Sequence, residues 1–157
     1  MIRIFCTAIF LLGAQCFGQV RIVLAKPTYS SEERVRATIV NRTHGTIVYC
    51  IHEFGETPPH GDQVESTFLP FQVQTPGRRS WKHLFIKRWG TILEPDIGVI
   101  DVKDELWPGE SREFPFWLQD RAKEFRLILY YWSAPNPNVC SARKGGQRAV
   151  SKIFQMQ

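Results

Sequence analysis

The chain has 157 residues, with 20 Lys and Arg against 15 Asp and Glu and a formal net charge of +5. At 43% hydrophobic residues it can bury the core of one domain, and it shows no internal repeat or low-complexity tract. So small a basic surplus selects no partner class by itself.

In chain order, residues 1–18 read as a secretory signal. Arg3 supplies the positive start, Ile4 to Leu12 an apolar stretch broken only by Thr7, and Gly18 a small residue before Gln19. The apolar run falls short of the roughly 20 residues a membrane span needs. The expectation is a secreted or periplasmic domain over residues 19–157, without a transmembrane segment. Cys16 follows a hydrophobic stretch, as the modified cysteine of bacterial lipoproteins does. Gly13 and Gln15 stand where that motif wants an aliphatic and a small residue, so the soluble form is preferred.

The remainder reads as β-structure. Gln19 to Ala25 alternates, with Val20, Ile22 and Leu24 on one face. Residues Pro27 to Ser31 are expected to turn, and Arg34 to Val40 to form a strand with Val35, Ala37 and Ile39 inward. Asn41 to Gly45 is a turn by composition, followed by a strand from Thr46 to His52 and a loop from Phe54 to Asp62. Strands are expected at Thr67–Gln74 and Trp81–Trp89, joined by a turn at Thr75 to Arg78, with Pro70 marking an edge strand or a bulge. Ile97 to Val102 is a short apolar run. Leu106 to Glu110 is a turn into a strand at Arg112–Gln119, and Asp120 to Glu124 could form one helical turn. The most apolar strand, Phe125 to Trp132, is placed centrally. A long loop from Ser133 to Gly146 carries Cys140, and Ala149 to Met156 closes the domain. Short strands without intervening helices predict an antiparallel β-sandwich of about seven to nine strands. The expected core is Val35, Ala37, Ile39, Ile47, Tyr49, Ile51, Phe114, Phe116, Leu127, Leu129 and Tyr131.

Cys50 and Cys140 are the two cysteines outside the signal, and an oxidising compartment allows them one connectivity. Two free thiols are the alternative. Adjacent strands in one sheet would bring the loop after Trp132 near Cys50 and make a bridge reasonable, provided the Cα atoms lie within about 7 Å.

Several turns together carry a resemblance. They are Tyr29 with Glu32 and Glu33, the strand end Val40-Asn41, the run Leu106-Trp107-Pro108-Gly109-Glu110-Ser111, and the closing Val150-Ser151-Lys152-Ile153-Phe154. In this order they resemble the immunoglobulin-like domains of secreted and lipid-anchored bacterial proteins. Lys152 departs from that pattern, which has asparagine there. The resemblance implies an immunoglobulin-like antiparallel sandwich and no activity, since the fold hosts many functions. The asparagine strand end and a tryptophan-bearing middle strand also resemble BsuPI-type bacterial proteinase inhibitor domains, without a reactive loop that can be aligned.

The most unusual segment is Ser66 to Leu93, which has no acidic residue but holds Arg78, Arg79, Lys82, Lys87 and Arg88. Trp81, His83, Phe85 and Trp89 are interleaved with them. Cations beside aromatic faces suit sugar rings bearing sulfate, carboxylate or phosphate. A binding surface would place the five cations on one contiguous outward face. The competing reading is an edge hairpin whose charges block aggregation, with Trp81, Phe85 and Trp89 filling the core.

His44, His52, His60 and His83 match no zinc spacing, although His52 and His60 flank one loop and could approach each other with Glu53 or Glu56. Asp101, Asp104 and Glu105 read as a solvated loop rather than a calcium or hydrolase pair. Asn41-Arg42-Thr43 is formally a glycosylation acceptor, idle in a bacterium. There is no nucleophile elbow, zinc helix or phosphate-cradling glycine loop. The functional expectation is a non-enzymatic binding or accessory module without cofactor. Arg78, Arg79, Trp81, Lys82, Lys87, Arg88 and Trp89 would meet an anionic glycan, an envelope component or an acidic protein. Secretion argues against nucleic acid. The alternative is a secreted proteinase inhibitor acting through a long loop.

Overall fold

The computed structural model describes residues 19–56, 65–83, 101–118, 122–136, 140 and 146–157. Among them are twelve strands and no helix. Among the described residues no helix is long and apolar enough to cross a membrane. The strands form an all-β sandwich of two sheets with one core between them.

The smaller sheet is built from β1 (Val20–Leu24), β3 (Val35–Asn41) and β9 (Ser111–Phe116), in the order β1-β3-β9. Alternation explains its inner face. Val20 and Ile22 of β1, Val35, Ala37 and Ile39 of β3, and Phe114 and Phe116 of β9 are all buried. The larger sheet is centred on β10 (Glu124–Ser133), flanked on one edge by β11 (Gln147–Val150) and β12 (Phe154–Met156). On its other edge lie β4 (Ile47–Glu56) and, further along, β6 (Phe71–Pro76). Strand β8 (Asp101–Leu106) pairs with the outer side of β4. Every expected core residue is buried except Ile51, which is half-buried and packs against the core. Edge-on aromatic contacts lock the sheets together, with Phe114 against Phe71 at 5.7 Å and against Tyr49 at 6.4 Å.

Several local expectations need correction. Thr28–Tyr29 is a short strand, β2, paired in parallel with β12, so the sandwich is not wholly antiparallel. Tyr29 is buried there because its ring meets Phe154 edge-on at 5.8 Å, and its hydroxyl donates to the Arg36 carbonyl at 3.2 Å. Phe54 to Glu56 continue β4 instead of opening a loop, because β5 (Glu65–Leu69) supplies them with a ladder partner. Asp101, Asp104 and Glu105 lie on β8, not in a solvated loop, since β4 pairs with that stretch from His52 back to Ile47.

Pro70 divides the expected Thr67–Gln74 strand into β5 and β6, and β5 is an edge strand that pairs only with β4 among the described residues. Strands β4 and β10 pair only over Ile47–Tyr49 and Tyr131–Ser133 and then diverge. The chain enters the fork along β4 as β5 and leaves it along β10 as β6, with buried Pro70 at the apex. The ring cannot donate to a ladder, so it suits the residue where pairing changes partner. The apolar run Ile97–Val102 and the expected strand Trp81–Trp89 are described only from Asp101 and only to His83. The expected helical turn at Asp120–Glu124 is not formed where it is described: Ala122 and Lys123 are irregular and Glu124 opens β10, while Asp120 and Arg121 lie outside the described residues.

Cys50 and Cys140 are bridged, with Cα atoms 5.2 Å apart. The bridge lies on the outer face of the larger sheet and does not cross between the sheets. Val48 and Cys50 form a second buried cluster there, covered by Trp132, Ala134 and Cys140.

Candidate functional site

The expected hairpin is described as far as His83. Strand β6 is joined to β7 (Trp81–His83) in antiparallel register, with Pro76 opposite Trp81 and Gln74 opposite His83. The Gly77 amide donates to the Ser80 carbonyl at 2.8 Å, which leaves Arg78 and Arg79 at the tip of the turn. Both arginines are exposed. Neither forms an ion pair among the described residues.

Period-two alternation separates the other two members. Trp81 shares a face with Gln74, while Lys82, opposite Thr75, lies on the reverse face. The Lys82 stem folds across Gly77, where a Cβ would come within 2.7 Å of its Cγ. The turn therefore needs a residue without a side chain at position 77.

Trp81 is half-buried and carries a cation that sequence reasoning missed. The Arg126 guanidinium lies 4.3 Å from the Trp81 ring centroid, and its Nε donates to the Gln74 side-chain carbonyl at 2.9 Å. Arg126 is separated from the hairpin by more than forty residues of sequence. It arrives through the β6–β10 register, which sets it directly opposite Gln74. A signal was present in retrospect: Arg126 is the charged residue within the most apolar strand of the chain. The guanidinium is fixed by its place over the indole and its bond to an amide oxygen, and guanidinium groups suit planar oxyanions.

Lys87, Arg88 and Trp89 lie outside the described residues, as do Phe85 and His60. So do most of the loops on which an inhibitory mechanism would rest, at residues 57–64 and 137–139 and 141–145. No group of three or more His, Cys, Asp or Glu gathers in metal-binding geometry among the described residues.

A different constellation is built at the edge where β8 faces β9. The Tyr49 hydroxyl donates to Asp104 Oδ2 at 2.7 Å, and Arg112 from the opposite sheet pairs with the same oxygen. Burial, with the Asp104 carboxylate beside it, pushes the Tyr49 phenol above its ordinary value of 10.0. The Arg112 guanidinium is held further up by its bond to Asp104. Tyr49 is fully buried. With its phenol neutral, this cluster ties the two sheets together.

No family model matches the chain, and no curated protein does. Among solved structures, the chain is similar to the sporulation control protein Spo0M from Bacillus subtilis at 10% identity and a TM-score of 0.29. That likeness covers 88% of this chain and 49% of the other, so the chain spans about half the length of that structure.

Proposed function

We propose that this protein is a non-enzymatic binding module of the extracytoplasmic space that holds an anionic glycan or envelope component on its basic-aromatic hairpin. The observation that carries the reading is the pair of exposed tip arginines, Arg78 and Arg79, beside a tryptophan whose ring already carries the Arg126 guanidinium. Sulfate or carboxylate groups would meet the arginines, with the exposed edge of Trp81 beside a sugar ring. The Cys50–Cys140 bridge supports an oxidising compartment, where such bonds persist. The segment 66–93 has no carboxylate to oppose the ligand.

The test is retention on immobilised heparin, polygalacturonate and a neutral dextran. The domain over residues 19–157 is compared with its Arg78→Ala/Arg79→Ala/Lys82→Ala variant. Selective, salt-sensitive retention on the anionic matrices that the variant loses supports the reading. Equal elution of both proteins from all three matrices overturns it and leaves the cations as protection of a hairpin edge.

A further inference from the structure

The two flanks of the sandwich differ. One is stapled by the Tyr49–Asp104–Arg112 cluster, whereas on the other β1 and β11 lie side by side with no such cluster among the described residues. There a groove of about 1070 Å³ runs along Val20–Leu24 of β1 and Gln147–Val150 of β11. Both strands are edges, β1 pairing only with β3 and β11 only with β10 among the described residues.

The phase of the hydrogen bonds fixes what these edges present. The Arg42 amide donates to the Gln19 carbonyl, and the Ala25 amide to the Arg36 carbonyl. Gln19, Arg21, Val23 and Ala25 therefore turn their backbone groups toward β3. The intervening Val20, Ile22 and Leu24 aim theirs into the groove. The bond from the Ser151 amide to the Leu127 carbonyl sets the same parity on β11, leaving Arg148 and Val150 with outward backbone groups. A row of unpaired amides and carbonyls is a template for an added strand.

The side chains say what kind of strand. Val23, Val150 and Ile153 are 49%, 43% and 52% exposed along the groove. The charged residues that line it are Arg21, Lys26, Arg148 and Lys152, with no acid among the lining. Lys26 is engaged by Glu33, while Arg21, Arg148 and Lys152 form no ion pair among the described residues. A second copy of this chain would bring the same cations into opposition, so like charge disfavours it.

We infer that the groove accepts an extended segment of a partner polypeptide, alternating apolar and acidic residues, as an added strand on β1. Its amides and carbonyls pair with Val20, Ile22 and Leu24. Its apolar side chains turn inward between the sheet edges, and its carboxylates, all on the outer face of the added strand, meet Arg21. This surface is separate from the hairpin and stands or falls independently of it.

The experiment titrates the domain with a short synthetic peptide of alternating Val and Glu, following binding by fluorescence anisotropy and amide protection by hydrogen exchange. Three controls accompany it: the same peptide N-methylated at alternate amides, a Val and Lys counterpart, and heparin. The inference expects slowed exchange at Val20, Ile22 and Leu24 and no binding of the lysine peptide. It also expects about tenfold weaker binding or more for the N-methylated peptide and for an Arg21→Glu variant. The substitution is at an exposed position, and intact folding of the variant is read from its circular dichroism. Indifference to N-methylation, protection elsewhere, competition by heparin that Arg78→Ala/Arg79→Ala abolishes, or absence of binding would each overturn it.

Discussion

The Asn41 side chain uses its whole hydrogen-bonding capacity inside the fold. Its amide donates to the Gly45 and Leu106 carbonyls at 2.9 Å, and its oxygen accepts from the Thr43 amide and hydroxyl at 2.9 and 2.7 Å. Leu106 belongs to the opposite sheet, so one fully buried amide closes a turn and joins two layers. In the folded chain this glycosylation triplet therefore presents no free acceptor nitrogen. Replacing Asn41 with Ala should cost about 1–3 kcal/mol in urea unfolding, because buried carbonyls lose their donors. Tyr49 gives a pH dependence with a definite sign. Its folded phenol titrates above 10.0, so above about pH 10 the unfolded chain loses a proton that the folded chain keeps. Stability should be level below pH 10 as far as this group is concerned, and fall as pH rises beyond it. Tyr49→Phe should flatten that alkaline decline while lowering the urea midpoint at neutral pH, an effect of about 1 kcal/mol for the lost bond to Asp104.

At the scale of elements, what the sequence revealed depended on whether the signal was local. The Trp107-Pro108-Gly109-Glu110 turn was legible because its chemistry is self-contained. Gly109 has the φ of +82° that a type II turn requires, the Glu110 amide reaches the Trp107 carbonyl, and the preceding proline suits the second position of that turn. Alternation likewise revealed the inner faces of β3 and β10. Strand β8 was missed because DVKDEL is polar, and only pairing with β4 makes it a strand. The Pro70 fork and the placement of Arg126 on Trp81 both depend on registers between distant segments, which no local pattern encodes. Ser151 sits between these cases. The resemblance singled it out, and the structure supplies the reason: its Oγ accepts from the Leu127 amide at 2.9 Å where β11 has ended and β12 has not begun. The outer-face cluster makes two further predictions. A Cβ at position 146 would lie 2.7 Å from the Trp132 ring, so Gly146→Ala should destabilise by about 1–3 kcal/mol and alter the near-ultraviolet dichroism of that indole. Removing the bridge with Cys50→Ala/Cys140→Ala frees a 90-residue separation and should cost about 4 kcal/mol in the chain-entropy picture, read as a lower denaturation midpoint.

For the whole molecule, the contrast between flanks organises the account. The β8–β9 side is sealed by Tyr49, Asp104 and Arg112, together with Asn41 reaching Leu106. The disulfide ties residue 140 to the outer face of the larger sheet, and on the β1–β11 side the strand edges are unpaired and Arg21, Arg148 and Lys152 form no ion pair among the described residues. The hairpin tip presents charge on a turn, where a polymer bearing oxyanions can approach. The groove presents backbone, where only another polypeptide strand can pair. Substitutions at Arg78 and Arg79 should leave stability within about 0.5 kcal/mol while removing glycan retention, since exposed residues outside special backbone geometry contribute little to folding. That separation of binding from stability distinguishes a contact surface from a charge shield.

The most direct measurement is the amide chemical-shift map of the isotopically labelled domain titrated with a sulfated oligosaccharide. The account predicts concentration-dependent shifts centred on Arg78, Arg79, Trp81 and Lys82 and extending to Arg126 across the β6–β10 pair, suppressed by salt. A spectrum in which these resonances stay fixed while others move, or in which nothing moves at low ionic strength, would contradict it.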